Sequence, residues 1–139
     1  MTAPSPGAHR ILVVDDESAV RRFVARALLE QGFLVVEALD GLDALDTIRA
    51  LDVDAIVSDV VMPRLNGVEL VAALAVSHPQ LPVVLMSGYA SHELVGMGIA
   101  APCALLTKPF SAERLVEEVR RCLKDTDPLA VAPRGGAGD

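Results

Sequence analysis

The stretch ILVVDDESAVRRFVARALLEQG, residues 11–32, decides the fold class. Its opening run, Ile11–Val14, is apolar without alternation, the mark of a strand covered on both faces in a parallel sheet. Two acids follow. Then Val20, Phe23, Val24, Ala27 and Leu28 recur at helical spacing along one face. Gly32 stands where that helix should stop. A strand, an acidic turn and a helix make one βα unit.

The same unit repeats outward along the chain. Further continuous apolar runs lie at Leu34–Val36, Ala55–Val57, Val83–Met86 and Ala104–Leu106. Asp40 is a suitable N-cap before Leu42–Leu51. Ser111 is another before a last helix whose face is Leu115, Val116, Val119, Cys122 and Leu123. The segment Ser91–Ala101 is weaker, since Gly96 and Gly98 interrupt it and Pro102 follows; any helix there is expected to be short and easily frayed. No self-similarity suggests a solenoid. Five βα units joined by right-handed crossovers give a doubly wound α/β sandwich. In such sheets ligands bind beyond the carboxyl ends of the strands.

Composition bounds the function. With 139 residues there is room for one domain, and 52% hydrophobic residues can build its core unaided. The formal net charge is −7, with no cluster of Lys or Arg, so a nucleic-acid surface is not expected. No apolar run reaches the roughly 18 residues of a membrane span, and the start lacks a signal-peptide core. Cys103 and Cys122 are the only cysteines; they sit in apolar stretches without metal-ligand spacing and read as reduced core residues. A soluble, cytoplasmic protein without membrane contacts is the expectation. Residues 1–9 (MTAPSPGAH) and 125–139 (DTDPLAVAPRGGAGD) are rich in Pro, Gly and Ala and read as flexible ends of a domain spanning 10–124.

Chemistry collects at the strand ends. Asp15 and Asp16 follow the first strand, Asp59 the third, Ser87 the fourth and Lys108 the fifth. Singly, each has an ordinary explanation, such as a helix cap or a solvated turn. Together they put three carboxylates on one rim, and such acids repel unless a cation neutralises them. Mg²⁺ suits the donor set, because it takes a few carboxylate oxygens and completes its shell with water and phosphate. An Asp carboxylate can attack phosphorus, an ammonium can offset phosphoryl charge, and a hydroxyl can hydrogen-bond a phosphoryl oxygen. His9, His78 and His92 are scattered without ligand spacing and are assigned no role.

The segments VVDDE (13–17), DVVMPRLNG (59–67), LMSGY (85–89) and LTKPF (106–110), in this order and spacing, resemble the signature blocks of response-regulator receiver domains. The resemblance covers nearly all of residues 10–124. It implies a flavodoxin-like (βα)5 fold with a five-stranded parallel sheet of order 2-1-3-4-5. It makes Asp59 the phospho-acceptor, Asp16 a direct Mg²⁺ ligand, Asp15 an acid reaching the metal through water, and the Val61 carbonyl the remaining protein ligand. Ser87 and Lys108 become the hydroxyl and ammonium that meet the phosphoryl group. A cis Lys108–Pro109 bond is implied, with Pro63 and Gly67 shaping the loop after the third strand. The implied donor is a histidine kinase or a histidine phosphotransfer protein, and the downstream protein is unknown. Such a domain is a switch rather than a conventional enzyme: it promotes its own phosphotransfer and dephosphorylation.

Two positions depart from the family pattern. Leu105 replaces the aromatic that many receivers carry three residues before the lysine, so the usual hydroxyl–aromatic coupling cannot operate in that form. Leu105 is then either an ordinary edge residue or part of a partner contact. Neither Val61 nor Tyr89 can orient a water well, which predicts slow self-dephosphorylation; Tyr89 either gates Asp59 or packs on its neighbours. The stretch MSGYA with Leu105 resembles receivers attached to hybrid histidine kinases, and a stand-alone regulator or a phosphorelay shuttle stays open beside that reading. A Mg²⁺-dependent aspartyl-phosphate phosphohydrolase is the alternative from another class. Those enzymes usually place the nucleophile at the end of the first strand with a second Asp two residues on, whereas Asp15 and Asp16 are adjacent. A degenerate receiver used only as a scaffold would lack a site residue, and none is missing.

Overall fold

The computed structural model describes residues 8–88 and 102–126. Tyr89, the segment Ser91–Ala101 and most of the two ends read as flexible lie outside the described residues. Five strands alternate with four helices among those described. In chain order these are β1 (Arg10–Val14), α1 (Ser18–Glu30), β2 (Leu34–Ala38), α2 (Gly41–Ala50), β3 (Ala55–Asp59), α3 (Gly67–Ser77), β4 (Val83–Ser87), β5 (Ala104–Thr107) and α4 (Ala112–Thr126). The strands form one parallel sheet of order β2-β1-β3-β4-β5, as the resemblance implies. No described helix is long and apolar enough to cross a membrane.

Unbroken apolar runs arise because both sheet faces are covered. Alternate residues of β1 point to opposite sides: Ile11 and Val13 join α1 and α4 through Val24, Leu28, Leu115 and Val119. Leu12 and Val14 join α2 and α3 through Ala44, Ile48, Leu70 and Leu74. The inner strands β3 and β4 are buried at every residue, whereas the edge strands β2 and β5 are partly exposed. Truncating a fully buried leucine such as Leu70 would cost about 2–5 kcal/mol through lost burial and an unfilled cavity.

The expected caps are present. Asp40 Oδ1 accepts the Asp43 amide at 2.9 Å and Ser111 Oγ accepts the Arg114 amide at 3.0 Å. The chain leaves α1 through Gly32 at φ 91°, a left-handed turn that glycine adopts without penalty. Phe23 does not share the inward face expected of it. It is 46% exposed, with its ring tilted against Phe110 at a centroid distance of 6.3 Å.

One expectation is overturned. Cys103 and Cys122 are not reduced core thiols; they form a disulfide with a Cα–Cα distance of 6.0 Å. Cys103 precedes β5, and Cys122 lies on the inward face of α4 where that helix crosses the start of the strand. The reading from composition missed the pair because a separation of 19 along the chain hides a contact that only the docking of α4 creates.

Candidate functional site

Strand register assembles the site. Val14 pairs with Ser58, so Asp15 and Asp59 end adjacent strands at the same level. Asp59 pairs with Met86 and Ser87 with Thr107, which brings Ser87 and Lys108 onto the same edge. Asp59 and Ser87 are themselves the last residues of β3 and β4 rather than the residues beyond them. The Lys108 amide donates to the Ser87 carbonyl at 2.8 Å, and Lys108–Pro109 is cis, as the resemblance implies.

The acids meet as the sequence expects. One carboxylate oxygen from each of Asp15, Asp16 and Asp59 lies within 4.8 Å of the others. Asp15 is fully buried and Asp59 nearly so, while Asp16 is exposed. Lys108 Nζ stands 3.0 Å from Asp59 Oδ1. Burial pushes the Asp15 carboxyl up to about 6; the neighbouring Asp59 and Asp16 add to the rise, and the Glu17 amide and Lys108 oppose it. Burial also raises Asp59, against the pull of Lys108.

Two buried atoms there, Asp15 Oδ2 and Ser87 Oγ, have no hydrogen-bond partner among the described residues. Buried polar atoms are normally satisfied, so such orphans mark a place built for something else. A hard cation on the acids and an oxyanion beside Ser87 would satisfy both, and every donor present is an oxygen, which fits Mg²⁺. Val61 is 61% exposed, two residues past Asp59. Gly67 closes the same loop: its amide donates to the Val60 carbonyl at 2.8 Å, and a Cβ there would collide with the Asp59 carbonyl and Val60 Cα. Leu105 is half-buried against the side of the core formed by α2 and α3.

The sequence reading missed two arginines. Arg21 donates from Nη1 to the Asp15 carbonyl and from Nε to Glu37, tying the acidic turn to α1 and β2. Arg64, with a left-handed φ of 67°, forks onto Asp40. Neither carries a sequence signal, since none of the partners lies at a local helical or strand spacing. A cavity of about 550 Å³ opens among the segments preceding β1, β3 and β4, lined by His9, Asp52, Asp54 and His78. It lies at the opposite end of the sheet from the acids.

Residues 11–120 match the family model of the response regulator receiver domain, and this chain belongs to that family. It is 38% identical over 124 residues to the sensor kinase CckA of Brucella abortus, covering 87% of this chain and 13% of that protein. It is 40% identical over 121 residues to the response regulator MprA of a Mycobacterium species, covering 86% of this chain and 52% of that one. The chain thus spans about half the length, or far less, of these curated relatives. Among solved structures, the receiver domain of NtrX from Brucella abortus superposes with a TM-score of 0.77 at 34% identity, over 82% of this chain and 98% of that one. A two-component signalling module is therefore the class to which fold, family and site all point.

Proposed function

We propose that this domain accepts a phosphoryl group on Asp59 from the phosphohistidine of a histidine kinase or phosphotransfer protein, with Mg²⁺ held by Asp15, Asp16, Asp59 and the Val61 carbonyl. The observation that carries the reading is the trio of acids within 4.8 Å, beside an ammonium 3.0 Å from one of them. When bound, Mg²⁺ supplies charge neutralisation for the acids and for the transferring phosphoryl group.

The residues divide the remaining work. An Asp59 carboxylate oxygen attacks phosphorus, the P–N bond to the donor imidazole breaks with its electron pair leaving on nitrogen, and an acyl phosphate stands on Asp59. Lys108 already touches Asp59 and can follow the charge onto a phosphoryl oxygen. Ser87, buried and with its hydroxyl unpartnered among the described residues, offers its proton to another. Satisfying Ser87 then couples modification to the end of β4 and the segment beyond it, which biases the face that meets a partner. The partners follow as a kinase-side donor and a downstream protein, in the cytoplasm, with neither nucleic acid nor membrane engaged by this domain. Labelling with acetyl phosphate and Mg²⁺, read by intact mass, tests the proposal. One phosphoryl group per chain, lost in Asp59→Asn, is the expected result. Repeated turnover of a small phosphate ester would instead support the phosphohydrolase reading.

A further inference from the structure

The loop after β3 has to hold the Val61 carbonyl and the Asp59 side chain in fixed relation, and it is pinned at two ends. One end is the close approach of Gly67 to Asp59 and Val60. The other lies across the rim. Arg64 Nε donates to Asp40 Oδ2 at 2.7 Å and Arg64 Nη2 to Asp40 Oδ1 at 2.9 Å, while the Gly41 amide donates to the Leu65 carbonyl at 3.1 Å.

Three features separate this fork from an ordinary surface ion pair. It is bidentate, the geometry that fixes direction as well as charge. Its acid, Asp40, has a side chain only 9% exposed and already committed to capping α2, so the anchor is itself immobile. Its arginine carries a left-handed backbone, φ 67°, which an L-residue keeps only where its surroundings hold it. The fork therefore sets the backbone three residues past Val61.

We propose that Asp40 and Arg64 form a positioning pair for the acceptor site: their fork fixes the loop between β3 and α3 so that the Val61 carbonyl is preorganised for the metal. This inference rests on the acceptor reading above. Neither residue touches the reacting atoms; both act through the loop, as outer partners of metal ligands do elsewhere.

Two variants break the fork with little other damage. Asp40→Asn keeps the cap, because Asn caps as well as Asp, yet cannot accept both guanidinium N–H groups. Arg64→Met removes the guanidinium and keeps the stem. A simple field effect and a positioning effect then predict different signs. Removing a positive charge near the acids should tighten Mg²⁺ by field alone, and removing a negative charge should loosen it. Positioning predicts that both variants loosen it.

The experiment is titration of the unphosphorylated full chain with MgCl₂, followed by calorimetry and by the amide resonances of the loop. Asp54→Asn, which removes one negative charge at the far end of the sheet where Asp54 accepts the Arg10 amide, serves as control. Both fork variants should weaken Mg²⁺ by about tenfold, the scale of lost outer-partner contacts. The double variant should be no worse than either single one, and Asp54→Asn should match wild type. Arg64→Met binding Mg²⁺ as well as or better than wild type would overturn the inference, as would full additivity of the two changes. If wild type itself takes up neither Mg²⁺ nor phosphoryl group, the acceptor reading fails and the pair loses its role with it.

Discussion

Lys108 reaches across the end of β4 to place its ammonium 3.0 Å from the Asp59 carboxylate, although Asp59 ends β3 and Lys108 follows β5, strands that are not neighbours in the sheet. The contact is partly buried and so less screened than a surface pair. It pulls the Asp59 carboxyl down against the burial that raises it.

If that ammonium also meets the developing phosphoryl charge, Lys108→Ala should slow labelling by acetyl phosphate about a hundredfold, the usual scale for deleting one preorganised charge partner. Lys108→Arg should restore little, since a planar fork cannot replace a compact ammonium on a short reach. Stopped-time intact-mass spectra give the rates. Labelling of Lys108→Ala at close to the wild-type rate would remove Lys108 from the mechanism.

The buried acids predict a definite pH dependence in EDTA. The Asp15 carboxyl stands at about 6 in the folded protein against 3.8 as its ordinary value. Between these values the folded state binds more protons than the unfolded chain, so this group's contribution to stability falls as pH rises through the window and is flat above it. Asp15→Asn should therefore stabilise the metal-free domain at neutral pH, by on the order of 1–3 kcal/mol. It should also reduce the further stabilisation that added Mg²⁺ gives wild type. Urea melts at several pH values decide this. A variant no more stable than wild type in EDTA would mean that the trio carries no electrostatic cost.

How much of this was legible beforehand depends on how far each feature reaches along the chain. Ile11–Val14 and Ala55–Val57 announced a parallel sheet because burial on both faces leaves a local apolar run. Asp15, Asp59, Ser87 and Lys108 could be gathered because strand ends share an edge in any doubly wound sheet. Asp40 was legible as a cap through its own helix, but its second task was not, since Arg64 lies 24 positions away with only loop between β3 and α3 to place it. The outward turn of Phe23 and the joining of Cys103 to Cys122 share that cause. Both follow from how α4 and its approach dock, and periodicity within one helix carries no record of its neighbour.

The disulfide should be a measurable brace. It ties the start of β5 to α4, where Arg121 Nη2 also donates to the Cys103 carbonyl at 3.0 Å. Closing a loop of this size in the unfolded chain is worth about 2–4 kcal/mol. Cys103→Ser with Cys122→Ser, or dithiothreitol, should lower the thermal midpoint while leaving Asp59 labelling intact, because the bridge lies away from the acids. Unchanged melting with and without reductant, with both thiols alkylated in the untreated protein, would contradict the bridge.

If Asp59 takes up a phosphoryl group, Val61 should govern how long it stays. Its side chain is 61% exposed, two residues past Asp59, and is wholly apolar. Hydrolysis of an acyl phosphate needs a water lined up behind phosphorus, and a side chain able to hydrogen-bond that water shortens the wait. Valine can exclude water but cannot orient it. Phosphorylated wild type should therefore persist for minutes or longer, and Val61→Asn or Val61→Glu should lose its label several-fold faster without a change in melting temperature. Because only the Val61 carbonyl is assigned to the metal, these changes should leave Mg²⁺ affinity nearly unaltered, which separates an effect on water from an effect on the cation. A wild-type half-life of seconds, or variants that decay no faster, would show that water reaches the phosphorus by a route Val61 does not control.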